Sequence, residues 1–215
     1  MIQLHYFPGN ASLTPHMLLE ELGVPFELKY VDRTVGAHKS PAYLALNPNG
    51  LIPVLVDSDL VLYETAAICL HLADTHPQSG LAPALGTAER ARFYQWLVWL
   101  TNTLQAALLL YFYPERWVDE GDAGAAAQVK AHAEAKICSL LEQLDAEFGV
   151  RGGPWLLGER YSALDPYAFM LCRWTRGFAR PARSLPQLQL FLQRMVARPA
   201  VQRVLKSEKL SEPFV

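Results

Sequence analysis

Between His76 and Thr87 the chain changes its grammar. Pro77, Gly80, Pro83 and Gly86 fall in that one stretch, and clustered breakers of helix and strand mark a boundary. Before it, short strand-like runs alternate with helical ones. After it, only apolar stripes at helical spacing remain. Such a chain folds as two domains of different class, 1–77 and 88–215, with 78–87 as the linker. The 215 residues are 51% apolar and include 5 Trp, 9 Tyr and 9 Phe, enough for two sizeable cores.

In the first domain "IQLHYF", "PFELKYVD", "IPVLVD" and "LVLY" read as strands, rich in branched and aromatic residues. "SLTPHMLLEELG" places Leu13, Met17, Leu18 and Leu22 near helical spacing and stops at Gly23. "ETAAICLHLADTHP" is a second helix that ends before Pro77. The order is β-α-β, a variable stretch, then β-β-α, a small α/β layer similar to the thioredoxin fold.

In the second domain Phe93, Trp96, Leu97, Leu100, Leu104, Leu108 and Tyr111 form one helical stripe. Val129, Ala133, Ile137, Leu140, Leu141, Leu144 and Phe148 form another, and shorter helices start near Ser162, Pro186 and Pro199. This is an all-α bundle whose stripes are core. In "YSALDPYAF", Ser162 and Asp165 fit a capping box, while Pro166 offers a rival register with Asp165 as the cap.

Charge and composition exclude several classes. A formal net charge of -2 with no long basic run argues against a nucleic-acid partner. The longest unbroken apolar run, Ala106 to Tyr113, is too short to cross a bilayer, and no secretory pattern opens the chain. Cys69, Cys138 and Cys172 form no metal or disulfide spacing, so a reduced cytoplasmic setting without a metal is expected.

"NPNGLIPVL", Asn47 to Leu55, is the most informative segment. A Pro-Asn-Gly turn leads to Ile52-Pro53 and then a strand. Pro53 either merely opens the strand or follows a cis bond that turns the Ile52 backbone outward, where an extended peptide could pair.

Together with "LYETAAICLHLADTHP" and "LGERYSALDPYAF", this segment resembles the glutathione S-transferase family along nearly the whole chain. The resemblance implies a thioredoxin-like domain, an all-α domain, usually a homodimer, and a cis Pro53. It implies that the Ile52 backbone pairs with the cysteine of glutathione. Glutathione carries two carboxylates and one amine. The Thr65 hydroxyl and the first N–H groups of its helix suit one carboxylate, and Glu64 suits the ammonium, although both residues could simply cap the helix. Lys39 matches the family pattern for the glycine carboxylate better than His38 does.

Catalysis in that family needs the glutathione thiolate. The corner "PGNAS" lies at a strand-to-helix turn, and Ser12, then Asn10, then Tyr6 are the candidate donors to the sulfur. Ser12 would equally serve as an N-cap and Tyr6 as packing. The corner is similar to the bacterial beta class, with Ala11 where that class has cysteine and Gln105-Ala106 where it often has a His-Lys pair. Tyr111, Tyr113, Trp117 and Trp174 are expected to line an apolar pocket for a small electrophile, with Phe112 and Phe178. The expectation is a detoxifying transferase. The rivals are a glutathione-dependent disulfide reductase or isomerase and a non-catalytic glutathione-binding module.

Overall fold

The computed structural model describes residues 1–215. Four strands, β1 (Ile2–Tyr6), β2 (Phe26–Tyr30), β3 (Val54–Asp57) and β4 (Leu60–Tyr63), form one sheet in the order β2-β1-β3-β4. β1 runs parallel to β2 and antiparallel to β3, and β3 pairs antiparallel with β4. The parallel pair needs a crossover, which α1 (Leu13–Leu22) supplies. That helix stops where Gly23 turns left-handed at φ 64.

The variable stretch contains α2 (Pro41–Leu44), begun by Pro41 with the Ser40 hydroxyl accepting the Tyr43 N–H. α3 (Thr65–Thr75) follows β4 with only Glu64 between them. Leu4, Leu13, Met17, Leu18, Val54, Leu55, Ile68 and Leu72 are fully buried around the sheet.

The second stripe-rich region opens with α4 (Ala88–Trp99), capped by the Thr87 hydroxyl on the Arg90 N–H. It runs on through a π-helical segment, Leu100–Gln105, into α5 (Ala106–Phe112). α6 (Ala123–Arg151) buries Ala133, Ile137, Leu140, Leu141, Leu144 and Phe148 of the stripe read from the sequence, while Val129, its first member, is only half-buried. α7 (Leu164–Trp174), α8 (Pro186–Ala197) and α9 (Pro199–Ser207) complete the helices.

Asp165 does not cap α7 with Pro166 first. The helix opens two residues earlier, at Leu164. The buried Asp165 carboxylate accepts the Ser162 N–H at 2.8 Å and the Leu156 N–H at 2.9 Å, so the box-like arrangement wins over the rival register.

The chain divides into two compact units, 1–82 with 196–212, and 83–195 with 213–215. The sequence reading ran 88–215 as one all-α domain. Chain contacts instead group α9 and the residues after it with the first unit, where α9 lies on α1. Arg198 grips Glu21 with two bonds of 2.7 and 2.9 Å, and Arg203 pairs with Glu20. No helix is long and apolar enough to cross a membrane.

Candidate functional site

The register collects the sequence candidates of the first unit at one end of the sheet. His5 pairs with Val54, Val54 with Tyr63, and Tyr6 with Tyr30. The residues that continue these strands, Phe7, Pro53 and Glu64, therefore leave the sheet side by side. α1 and α3 each begin just after a strand that ends there, so both helix N-termini belong to this end.

The Ile52–Pro53 peptide bond is cis. Asn47 and Tyr43 lock the turn before it: the Asn47 amide and the Tyr43 hydroxyl both donate to the Leu51 carbonyl at 2.9 Å. Burial pushes the Tyr43 phenol well up, so it stays a neutral donor. Neither backbone group of Ile52 is paired within the protein. Gly50 sits at φ +59, and a Cβ there would lie 2.7 Å from Lys39 Nζ and 2.8 Å from the His38 carbonyl oxygen. Only glycine lets the Lys39 chain cross this turn, where its Nζ donates to the Asn49 carbonyl at 3.1 Å. His38 lies beside it, with its pKa lowered by burial and then by Arg33 and Lys39.

Glu64 joins β4 to α3 at φ 73 and ψ 116, a left-handed conformation that costs a non-glycine residue about 1–3 kcal/mol. Its side chain is exposed and makes no cap bond. Thr65 is buried, and the first bond inside α3 runs from the Ile68 N–H to the Glu64 carbonyl. The N–H groups of Thr65, Ala66 and Ala67 are thus the free, positively polarised end of the helix.

At the "PGNAS" corner the three donor candidates differ. Ser12 is fully buried, and its hydroxyl donates to the Phe7 carbonyl at 3.2 Å while accepting the Phe7 N–H at 3.3 Å. It makes no side-chain cap bond. The Asn10 Oδ1 accepts the Ala11 N–H, which leaves its Nδ2 hydrogens uncommitted. Tyr6 packs edge-on against His16 and Tyr30, and its hydroxyl has no protein partner. Burial, the Glu208 carboxylate and Tyr30 raise its pKa, so it too is a neutral donor.

Two residues escaped the sequence reading. Glu208 Oε2 accepts the Gly9 N–H at 2.8 Å, and its Oε1 lies 2.8 Å from His16 Nδ1. Both side chains are buried. Glu208 holds the corner from 199 residues away along the chain, a separation no local pattern reveals.

Ala11 is buried and brings no sulfur. Burial raises Cys69, pushes Cys172 up to about 12 and raises Cys138, so no cysteine of this chain is a ready thiolate.

Within the second unit, Tyr111 stacks at 4.2 Å on Phe178, and Phe112 meets Trp174 edge-on at 6.3 Å. Tyr113 lies one residue on, under the Arg116 guanidinium at 4.0 Å. Trp117 is 64% exposed on the same turn. Tyr111 and Trp174 are therefore in one aromatic group, with Tyr113 and Trp117 on its border.

Comparison with known proteins agrees with this geometry. The family models for the glutathione S-transferase N-terminal and C-terminal domains match residues 11–75 and 100–199. The glutathione S-transferase GST-4.5 of Xanthomonas campestris pv. campestris is 32% identical over 98% of this chain and 100% of its own. A glutathione transferase homologue from Sulfitobacter, solved with bound glutathione, is 28% identical with a TM-score of 0.89, covering 98% of this chain and 99% of that one. A sphingomonad glutathione S-transferase complexed with glutathione is 33% identical with a TM-score of 0.82, covering 97% and 100%. With a full-length curated relative and both domain models in agreement, the chain belongs to the glutathione S-transferase family.

Proposed function

We propose that this protein binds glutathione at the sheet end of its first unit and activates the thiol for attack on a small, apolar electrophile. One observation carries the reading. A single sheet end gathers an unpaired backbone at Ile52, the bare N-terminus of α3, the exposed Glu64 carboxylate and the Lys39 ammonium. That pattern is complementary to a short peptide with two carboxylates and one amine. Ile52 and Pro53 would pair with its cysteine backbone, Thr65 and the α3 N–H groups with one carboxylate, and Lys39 with the other. Glu64 would hold the ammonium.

With no thiolate of its own, the chain must take the nucleophile from glutathione. The sulfur needs hydrogen-bond donors to lower its pKa. The uncommitted Asn10 amide and the Tyr6 hydroxyl favour these two, since the Ser12 hydroxyl is buried and already donates. Tyr111, Trp174 and their neighbours Tyr113 and Trp117 would receive the electrophile. Exposed Leu60 and Val61 on β4 and Tyr94 and Val98 on α4 support a homodimer, and the setting would be the cytoplasm.

Titration calorimetry with glutathione, followed by conjugation, disulfide-reduction and peroxide-reduction assays, tests this. Conjugation in the wild type with a marked loss in Asn10→Ala or Tyr6→Phe is expected. Binding without conjugation would leave the non-catalytic module standing, and turnover of disulfides alone would leave the reductase.

A further inference from the structure

The chain has four asparagines, Asn10, Asn47, Asn49 and Asn102, and the fold treats them differently. An asparagine side chain is open to attack by the backbone nitrogen of the next residue, which closes a succinimide ring. Asn47 is buried and precedes Pro48, whose nitrogen carries no hydrogen. Ala11 after Asn10 has a side chain, and its N–H is held by Asn10 Oδ1. Asn102 lies inside the π-helical segment, before the branched Thr103. Asn49 is exposed, and its side-chain amide has no protein partner. The next residue is Gly50, which brings no Cβ to hinder its nitrogen.

Two contacts govern the rate there. The Gly50 N–H donates to the Asn47 carbonyl at 2.9 Å, so the turn must open before the nitrogen can attack. The Lys39 ammonium lies 3.1 Å from the carbonyl oxygen of the Asn49–Gly50 peptide, and a cation there favours the deprotonated nitrogen.

We infer that Asn49 is a site of spontaneous deamidation, and that the carboxylate it forms draws Lys39 away from the ligand. The Gly50 nitrogen bonds to Asn49 Cγ, and the side-chain nitrogen leaves as ammonia with the Gly50 proton. Water then opens the ring at either carbonyl, giving aspartate or isoaspartate. The step consumes water alone and needs no oxidant or reductant. The new carboxylate belongs to the residue whose carbonyl already holds Lys39 Nζ. It therefore competes with a ligand carboxylate for that ammonium. The isoaspartate form also adds a methylene to the backbone of the turn that Asn47 and Tyr43 tie to the Leu51 carbonyl. The effect on binding rests on the glutathione reading above; the chemistry at Asn49 does not.

The test ages the full chain at mildly alkaline pH beside a synthetic peptide of residues 45–55, and reads both by peptide mass mapping. A gain of about 1 Da is expected at residue 49 in both, slower in the folded chain, and at no other asparagine of the folded chain. Asn49→Gln, whose longer side chain closes the ring far less readily, should gain nothing. Calorimetry then compares the fresh proteins. Asn49→Asp should bind glutathione about fivefold more weakly than wild type, a difference that shrinks in high salt. Asn49→Gln should keep wild-type affinity. In a Lys39→Ala background, Asn49→Asp should cost nothing further. An unchanged folded chain, or a gain at another asparagine instead, would overturn the site. Undiminished affinity in Asn49→Asp, or the same loss without Lys39, would overturn the capture of Lys39. If no form binds glutathione, the reading above fails together with that capture, while the mass gain at residue 49 still decides the site.

Discussion

The Glu208 carboxylate receives the backbone N–H of Gly9 at 2.8 Å, tying the last part of the first unit to its first turn. Gly9 itself is left-handed, at φ 69. The bond fixes the turn that carries Asn10 and Ser12, and the second carboxylate oxygen engages His16 on α1.

Removing that carboxylate strands a backbone donor and a ring nitrogen in a buried place. Glu208→Ala should lower unfolding stability by about 3 kcal/mol, the usual cost of removing a buried carboxylate that accepts two hydrogen bonds. Glu208→Gln, which still offers an oxygen to Gly9, should lose less. Urea unfolding monitored by far-UV dichroism reads the difference. Equal losses in the two variants would show that the Gly9 bond contributes nothing.

Asp165 gives a contrasting case, buried in the second unit. Its carboxylate holds the N–H groups of Leu156 and Ser162 from a fully buried position. Asp165→Ala should cost about 3 kcal/mol in unfolding, while glutathione affinity in the folded fraction stays unchanged by calorimetry.

Glu64 should separate binding from stability. Its left-handed backbone suits glycine, and its carboxylate is exposed. Glu64→Gly should keep unfolding stability within about 1 kcal/mol of wild type. Loss of the ammonium partner should weaken glutathione about tenfold. Glu64→Gln should show the weakening as well; retained affinity in both would remove Glu64 from the ligand site.

The cysteines give a pH-dependent expectation. Burial raises Cys69 and Cys172 above the ordinary 9.0, the latter to about 12. A group whose native pKa is raised stabilises the fold fully below its unfolded value, and that contribution is lost as pH rises through the native one. Stability should therefore fall between about pH 9 and 12. Cys69→Ala and Cys172→Ala should each flatten that decline. At pH 8 a thiol reagent should modify Cys138 alone in the native protein, and all three cysteines only after unfolding.

The sequence readings that held were those written in local periodicity. The stripe from Ala133 to Phe148 follows from helical spacing, because burial of one face demands it, and the start of α8 at Pro186 was legible too. The Pro-Asn-Gly turn and the Glu64-Thr65 junction were legible as local backbone punctuation. The side-chain state of the corner was not. Ser12 reads as a capping residue by type, yet its hydroxyl turns back to Phe7. The π-helical segment was hidden inside a continuous apolar stripe, since Leu100 and Leu104 are buried in either helical form. Glu208 and the packing of α9 on α1 were missed because their partners lie at the other end of the chain.

The return of α9 to α1 has a consequence for biosynthesis. When residue 82 has left the ribosome the thioredoxin-like unit is still short of residues 196–212, including the two arginines that clasp Glu20 and Glu21. The nascent unit must wait, with one helix uncovered, while the whole second unit is translated. Truncation near the C-terminus is thus an injury to the N-terminal fold.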